Sequence, residues 1–212
     1  LIFLNDIDDA VAEVRWAKEH GLKGVLIPAD HMCQLVHLYE RRLDPFWAVC
    51  EELGMPVHRH AIAVGPPQTE TDGAAAAAVG AHATFTFFQM GLSQLILGGV
   101  FERFPNLDFV FTETNTSWVQ HELFALEHEC RMAQYKGGGT YPTHHAAVEQ
   151  LSLTPTEYFR RNVHLGTSLM MSFDVKARHD IGVDRIMWGA DYPHHEGLYP
   201  HTKLGLRALF AD

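Results

Sequence analysis

The sequence predicts an α/β fold whose strands run parallel to one another. Short apolar runs of β type alternate with longer amphipathic stretches, and each predicted helix follows one strand and precedes the next. No two runs are joined by the two-residue turns that antiparallel hairpins use. Such an alternation requires right-handed crossovers, which build either an open doubly wound sheet or a closed (β/α)8 barrel.

Short apolar runs predict six strands, two fewer than a complete barrel contains. The strands are Leu1–Leu4, Gly24–Pro28, Pro56–Ile62, Leu107–Thr112, Asn162–Gly166 and Arg185–Gly189. The amphipathic stretches predict helices at Asp8–His20, Pro45–Leu53, Ala81–Phe104, Trp118–Tyr135, Pro155–Arg161, Asp174–Ile181 and a tail from Pro200. Gly21 and Gly54 are stop signals, and Asp44-Pro45 supplies a cap and a first helical position.

Two longer inserts are predicted as loops or lids on one rim of the sheet. They are Ala63–Gly80, whose five-alanine run is expected to be a flexible or helical connector, and Lys136–Thr154, which holds three consecutive glycines. The sequence contains neither an internal repeat nor an interdomain linker. Residues 1–212 are therefore expected to form a single domain.

The charge balance excludes several classes of partner. Of 212 residues, 16 are Lys or Arg and 26 are Asp or Glu, which gives a formal net charge of −10. Binding to nucleic acid or to an anionic membrane needs clustered Lys and Arg, which the sequence lacks. The most apolar stretch, Gly73–Phe101, is interrupted by polar residues before it reaches the ~18 residues of a membrane span. We expect a soluble protein.

The cysteines indicate a reducing compartment. Cys33, Cys50 and Cys130 lie far apart and form no C-x-x-C pair, which excludes a disulfide framework and a cysteine-rich zinc site. The expected location is therefore cytoplasmic.

Polar side chains follow three of the predicted strands. Alternation along Pro56–Ile62 places His58 and His60 on one face and Arg59 on the other. Leu107–Thr112 runs directly into Glu113, and Asp191 follows the last strand. Because the carboxyl ends of parallel strands build the active site of such folds, these side chains are expected to meet at one edge.

Imidazole and carboxylate groups of this kind suit Zn²⁺, and also Mn²⁺ or Fe²⁺. Binding to such a metal lowers the pKa of a water molecule to about 7, so that the water becomes a nucleophile. An aspartate beside that water can both bind the metal and accept the proton.

Four motifs resemble amidohydrolase family 2, the branch of the metal-dependent hydrolase superfamily that includes aminocarboxymuconate-semialdehyde decarboxylase and related aromatic-acid decarboxylases. In chain order they are Pro56-Val57-His58-Arg59-His60, Gly98-Gly99-Val100-Phe101-Glu102-Arg103-Phe104-Pro105-Asn106-Leu107, Tyr158-Phe159-Arg160-Arg161-Asn162 and Met187-Trp188-Gly189-Ala190-Asp191-Tyr192-Pro193-His194. The resemblance spans nearly the whole chain. The motifs are strong evidence for the family but weak evidence for the substrate.

The resemblance implies a (β/α)8 barrel of which this chain holds strands three to eight. His60 matches the family's histidine ligand on strand five, and Asp191 matches the strand-eight aspartate that contacts the metal and activates water. The family's His-x-His ligand pair would lie before Leu1, so the chain is expected to be N-terminally truncated. A short stretch beyond Asp212 is expected as well. The implied cofactor is one divalent metal ion, with zinc first and manganese or iron as alternatives.

One position departs from the family's decarboxylases, which carry a histidine where this chain has Glu113. A glutamate can move a proton but cannot offer an imidazolium to a carboxylate substrate. The first expectation is therefore hydrolysis of a small carboxylated or aromatic molecule, with Asp191 and Glu113 as catalytic residues. The alternatives are non-oxidative decarboxylation at the same metal and a catalytically incomplete chain that serves as an assembly surface. A homodimer is expected because the family commonly dimerises.

Three further residues are weaker candidates for substrate binding. His58 is expected in the pocket wall rather than as a metal ligand. Trp118 is either a core residue or the floor of an aromatic-substrate pocket, and His194 or its neighbour His195 lines the pocket or is inert. Plain structural roles stay open for the main candidates too, since Asp191 could cap a turn and Glu113 could cap the helix after Asn115.

Overall fold

Five parallel strands form one sheet in the computed structural model, which describes residues 1–28, 36–60, 73–134, 142–168, 170–194 and 197–211, four of them (84, 85, 142 and 143) by backbone alone. The strands are β1 (Val25–Ile27), β2 (Val57–His60), β3 (Phe109–Thr114), β4 (Val163–Thr167) and β5 (Ile186–Trp188). Their order in the sheet is their order in the chain. A doubly wound sheet reverses direction at a switch point, whereas a barrel winds one way. The fold is therefore part of a (β/α)8-type barrel, as predicted.

Helices connect the strands and cover one face of the sheet. Their bounds are α1 (Ile7–Glu19), α2 (Asp44–Glu52), α3 (Gly73–Leu97), α4 (Val100–Arg103), α5 (Val119–Ala133), α6 (Pro142–Glu149), α7 (Pro155–Asn162), α8 (Ser172–Ile181) and α9 (Thr202–Leu209), with short 3-10 turns at Arg41–Leu43 and Val183–Arg185. The part of the chain that the structure describes contains no helix long and apolar enough to cross a membrane.

The structure corrects three predictions. Leu1–Leu4 is not a strand, because it makes a single bond to the sheet, from the Ile2 N–H to the Leu26 carbonyl at 2.8 Å. Residues 142–149 are helical rather than loop. The alanine run is helical, one of the two alternatives expected for it, as alanine's high helix propensity favours. Residues 63–72 and 136–141 of these inserts lie outside the described residues, and residues 150–154 connect α6 to α7 without a regular helix or strand.

The predicted helix Ala81–Phe104 is two helices, because the chain turns at two glycines. A Cβ on Gly98 would lie 2.3 Å from the Cβ of Tyr39, so a side chain has no room there. Gly99 adopts a left-handed conformation with φ of 66°, which glycine adopts without steric cost. Both glycines belong to the second of the four motifs.

The two faces of the sheet differ in chemistry. Along β2, Val57 and Arg59 are buried on the helix side, whereas His58 and His60 are half-buried on the inner side, as the period of two predicts. The Arg59 guanidinium is 1% exposed and lies 4.1 Å from the ring centroid of Phe87 on α3. On the same side of β3, Phe109 and Phe111 are fully buried.

A polar network joins α2, α4 and α7 at the amino-terminal edge of the sheet. Arg103 donates to Asp44 at 2.8 Å and to the carbonyls of Gly98 and Gly99 at 2.8 Å each. The buried Asn162 amide donates to the carbonyls of Pro105 and Leu107, at 3.0 and 2.8 Å. Arg103 and Asn162 come from the second and third motifs, whose role here is structural.

In the same network, the Tyr158 hydroxyl donates to the Glu102 carboxylate, which also accepts from the Ser152 N–H at 3.1 Å. These two hydrogen bonds, the Tyr158 bond foremost, hold the pKa of Glu102 below its usual range. A carboxyl whose pKa is depressed by folding stabilises the protein above its unfolded pKa, and this contribution is lost as the pH falls through the folded pKa.

Replacing Tyr158 with Phe is expected to lower the free energy of unfolding at pH 7 by about 1 kcal/mol, because the hydrogen bond to the solvent-screened Glu102 carboxylate is lost, together with the hydroxyl that accepts from the Ser152 N–H at 3.1 Å. The difference between wild type and variant should shrink once the pH drops below about 4.5, the ordinary pKa of the carboxyl. Urea unfolding followed by circular dichroism across this pH range measures it. A difference that stays constant with pH would rule out the carboxylate as the partner that matters.

Candidate active site

His60 and Glu113 meet at the carboxyl-terminal edge of the sheet. His60 is the last residue of β2, and Glu113 is the next-to-last residue of the neighbouring strand β3. Nε2 of His60 contacts Oε2 of Glu113 directly, and the two side chains are 36% and 27% exposed. Two groups that can bind and release a proton therefore face each other at the position where such folds place their chemistry.

Glu113 occupies a β-bulge. Thr112 of β3 pairs with Gly166 of β4 and Thr114 pairs with Thr167, so the register shifts between Thr112 and Thr114 and leaves Glu113 unpaired. Its φ is 57°, in the left-handed region that side chains other than glycine rarely adopt. A bulge bends its strand and redirects a side chain, and here it directs the carboxylate towards β2.

Asp191 shares this unusual backbone. It follows β5 by three residues and has a φ of 53°. Its Oδ2 is enclosed and lies 3.1 Å from Nδ1 of His194, yet it has no hydrogen-bond partner of acceptable geometry among the described residues. Both predicted catalytic carboxylates thus sit on strained backbone, and such strain concentrates at functional sites.

His58 lies below His60 on the inner face of β2. Its Nδ1 is 3.2 Å from the Thr112 hydroxyl, and burial lowers the pKa of the ring, which favours the neutral form. A half-buried neutral imidazole fits the predicted place in a pocket wall.

Trp118 lies on the helix side of the sheet. The side chain is 4% exposed, stacks on Phe88 at 5.9 Å between ring centroids, and donates from Nε1 to the Thr114 hydroxyl at 2.9 Å. This placement indicates a packing role, and contact between Trp118 and a substrate stays a prediction. His194 lies beside Asp191, and His195 lies outside the described residues.

Sequence reasoning missed a buried polar cluster directly after Glu113. Thr114, Asn115 and Thr116 are 0%, 5% and 1% exposed, and Asp174 from α8 is 0% exposed. The Asp174 carboxylate accepts hydrogen bonds from the Thr116 backbone and hydroxyl. The available signal was the run of small polar residues that follows a buried strand.

The donor groups fit a divalent metal in kind. His60 offers an imidazole nitrogen, and Asp191 offers an enclosed carboxylate oxygen that accepts no hydrogen bond from the residues the structure describes. Within the described part of the chain, however, no three His, Cys, Asp or Glu side chains gather into a group that could hold a metal ion. The structure brings His60 to Glu113 and Asp191 to His194 as two separate pairs, so a complete ligand set needs a further donor.

Fold and site together define a barrel-type α/β protein with imidazole and carboxylate groups at the carboxyl edge of its strands. A family model described as Amidohydrolase matches residues 3–212, and the chain belongs to that family. No curated protein matches the sequence.

Solved structures share the fold. The amidohydrolase map2389c of Mycobacterium avium subsp. paratuberculosis K-10 matches with a TM-score of 0.70 and 26% identity over 98% of this chain and 50% of its own. The 5-carboxyvanillate decarboxylase LigW of Sphingomonas paucimobilis matches with a TM-score of 0.66 and 25% identity over 89% of this chain and 53% of its own.

A third structure supports the fold alone. The dihydroxybenzoic acid decarboxylase of Polaromonas sp. JS666, solved with manganese and the inhibitor 2-nitroresorcinol, has a TM-score of 0.67 and 20% identity over 98% of this chain and 61% of its own. The chain thus spans between about half and three fifths of these structures.

The left-handed backbone at Glu113 should affect the stability of variants at this position. Glu113→Gly and Glu113→Ala both remove the carboxylate, but only glycine relieves a left-handed conformation that costs other residues about 1–2 kcal/mol. The glycine variant is therefore expected to be the more stable of the two by about 1 kcal/mol in urea unfolding.

The matched control is Glu13, an exposed residue inside α1, where glycine should be less stable than alanine by about 1 kcal/mol. The order of the two variants should thus reverse between the positions. The same order at both would show that residue 113 carries no left-handed strain in solution.

Proposed function

We propose that this chain forms part of the active site of a metal-dependent amidohydrolase that hydrolyses a small carboxylated or aromatic molecule. The observation that carries the proposal is the pair of strained carboxylates at the carboxyl edge: Glu113 faces His60, and Asp191 has an enclosed oxygen without a hydrogen bond to any described residue. Membership of the amidohydrolase family supports the reaction class.

His60 and Asp191 are the residues proposed to hold the metal. Zinc is the first expectation from the donor types, and manganese is supported by its presence in the Polaromonas decarboxylase. When bound, the metal supplies Lewis-acid polarisation of a water or substrate oxygen. Asp191 is placed to accept a proton at Oδ2, the oxygen that has no hydrogen-bond partner among the described residues.

Glu113 is proposed as the second acid/base. Its Oε2 contacts Nε2 of His60, and the side chain is partly exposed, so it can exchange a proton with a bound molecule. The Thr112 side chain and Gly166 share the inner row with His60. A Cβ on Gly166 would make only ordinary van der Waals contacts, the nearest at 3.5 Å to the Thr112 Cα, so glycine keeps the inner wall low beside His60.

Non-oxidative decarboxylation at the same metal is the second candidate. It is favoured by the similarity to the Sphingomonas 5-carboxyvanillate decarboxylase. Hydrolysis stays first because Glu113 cannot present a cation to a substrate carboxylate.

Assembly and location stay predictions. A homodimer is expected from the family, and a cytoplasmic location is expected from the cysteines. A chain that serves as an assembly surface without catalysis is the third hypothesis. Gel filtration addresses the dimer.

Metal content tests the proposed ligands. After dialysis against zinc or manganese, the protein, extended upstream through the family's His-x-His strand, is expected to retain about one equivalent of metal. His60→Ala and Asp191→Asn should each lower the retained metal, because the first removes a donor and the second replaces a charged carboxylate with a neutral amide that binds metal more weakly. His164→Ala is the matched control, since His164 lies on the inner face of β4 but binds Asp108 instead, at 3.2 Å. Equal retention by all variants would contradict the assignment.

The reaction class needs a separate measurement. Turnover of a panel of benzoates and of amide or lactone substrates should separate CO₂ release from hydrolysis in the metal-loaded protein. Asp191→Asn is expected to reduce turnover by a factor of about 10²–10⁴, the typical contribution of a general acid or base. Unchanged turnover in this variant would remove Asp191 from the mechanism.

A further inference from the structure

The Asp174 carboxylate ties together two loops at the carboxyl edge of the sheet. Its Oδ1 accepts from the Thr116 backbone at 2.8 Å and from the Thr116 hydroxyl at 2.6 Å, and its Oδ2 accepts from the Met171 backbone at 2.7 Å. Thr116 lies in the loop that follows β3, and Met171 lies in the loop that follows β4. A fully buried carboxylate is costly unless such bonds satisfy it.

Helix capping explains the hydrogen bond to only one of the two carboxylate oxygens of Asp174. Asp174 is the third residue of α8, and the bond from its Oδ2 to the Met171 backbone is the ordinary return bond of an N-terminal cap. The Oδ1 bonds reach an element 58 residues away in sequence. They therefore serve the loop after β3 rather than the helix.

That loop begins at the strained residue of the candidate site. Thr116 lies three residues after Glu113, and Thr114 donates to the Asn115 carbonyl at 2.9 Å while accepting from the Trp118 indole at 2.9 Å. A left-handed conformation at a residue other than glycine persists only where the surrounding structure fixes it. The buried hydrogen bonds after Glu113 provide that constraint, and Asp174 anchors them to a separate helix.

We infer that Asp174 is a positioning residue, which holds Thr116 and thereby keeps the Glu113 carboxylate against Nε2 of His60. Its expected effect on turnover rests on the proposed function. Its effect on the contact between His60 and Glu113 does not, because that contact involves only side chains of this chain.

Nitrogen NMR of the histidine side chains tests the contact directly. In Glu113→Gln the His60 ring has no carboxylate partner, so this variant gives the reference position of the Nε2 signal. In His60→Gln the signal is absent, which assigns it to His60. Asp174→Asn and Thr116→Val are both expected to move the His60 signal towards its position in Glu113→Gln. Thr116→Val removes one hydroxyl and keeps the cap of α8, so it remains informative if Asp174→Asn does not fold.

Glu157 provides the matched control. In α7 it makes the same return bond to a capping residue, from the Thr154 backbone to Oε2 at 2.8 Å, and it lies on another helix. Glu157→Gln should leave the His60 signal where it is in the wild type. The inference is overturned if Thr116→Val keeps the wild-type signal, or if Glu157→Gln moves it as far as the Asp174 variant does.

Kinetics of the metal-loaded enzyme separate this inference from the proposed function. Asp174→Asn and Thr116→Val are expected to lower kcat about tenfold or more, with KM nearly unchanged, because a misplaced acid/base affects the chemical step. A moved NMR signal with unchanged kcat would uphold the positioning role and contradict the use of Glu113 in catalysis. A lower kcat with an unmoved signal would overturn the positioning role.

Discussion

The parallel pairing of β3 with a strand on each side is the constraint on which the rest of this structure depends. Its register with β2 and β4 turns Phe109 and Phe111 towards the helices, where both are fully buried, and turns Thr112 inward. Because side chains alternate along a strand, a slip of one residue would exchange these two faces. The same register therefore determines both the hydrophobic core and the inner wall that carries the candidate site.

The two edges of the sheet divide stability from chemistry. At the amino-terminal edge, Arg103 and Asn162 satisfy backbone carbonyls around the turn that leads into β3, and the positive φ values on that side of the sheet fall on glycines such as Gly54 and Gly99. At the carboxyl edge, Glu113 and Asp191 have positive φ values. The motifs that carry the family resemblance are therefore of two kinds. Some stabilise the sheet at its amino-terminal edge, and others place polar side chains at its carboxyl edge.

Local patterns in the sequence predicted the features that local physics controls. The period of two placed His60 and Arg59 on opposite faces of β2, and capping signals gave most helices to within two or three residues at each end. The prediction of a strand at Leu1–Leu4 was wrong because a strand forms only by pairing with a neighbouring strand, and the local sequence contains no information about that neighbour. The bulge at Glu113 and its tie to Asp174 depend on the register of strands and on a helix far along the chain, so no local pattern reveals them.

Electrostatics links the proposed metal to the proposed substrate. Glu113 and Asp191 place two carboxylates at the rim of a chain whose net charge is −10, and Arg59, although it lies on β2, points to the helix side. A carboxylated substrate would be repelled by these groups, and at short range in a partly desolvated site such repulsion is substantial. In the proposed function, Asp191 and His60 would hold a divalent cation whose charge offsets this repulsion, so the two residues that bind it would also make the rim accessible to a carboxylated substrate.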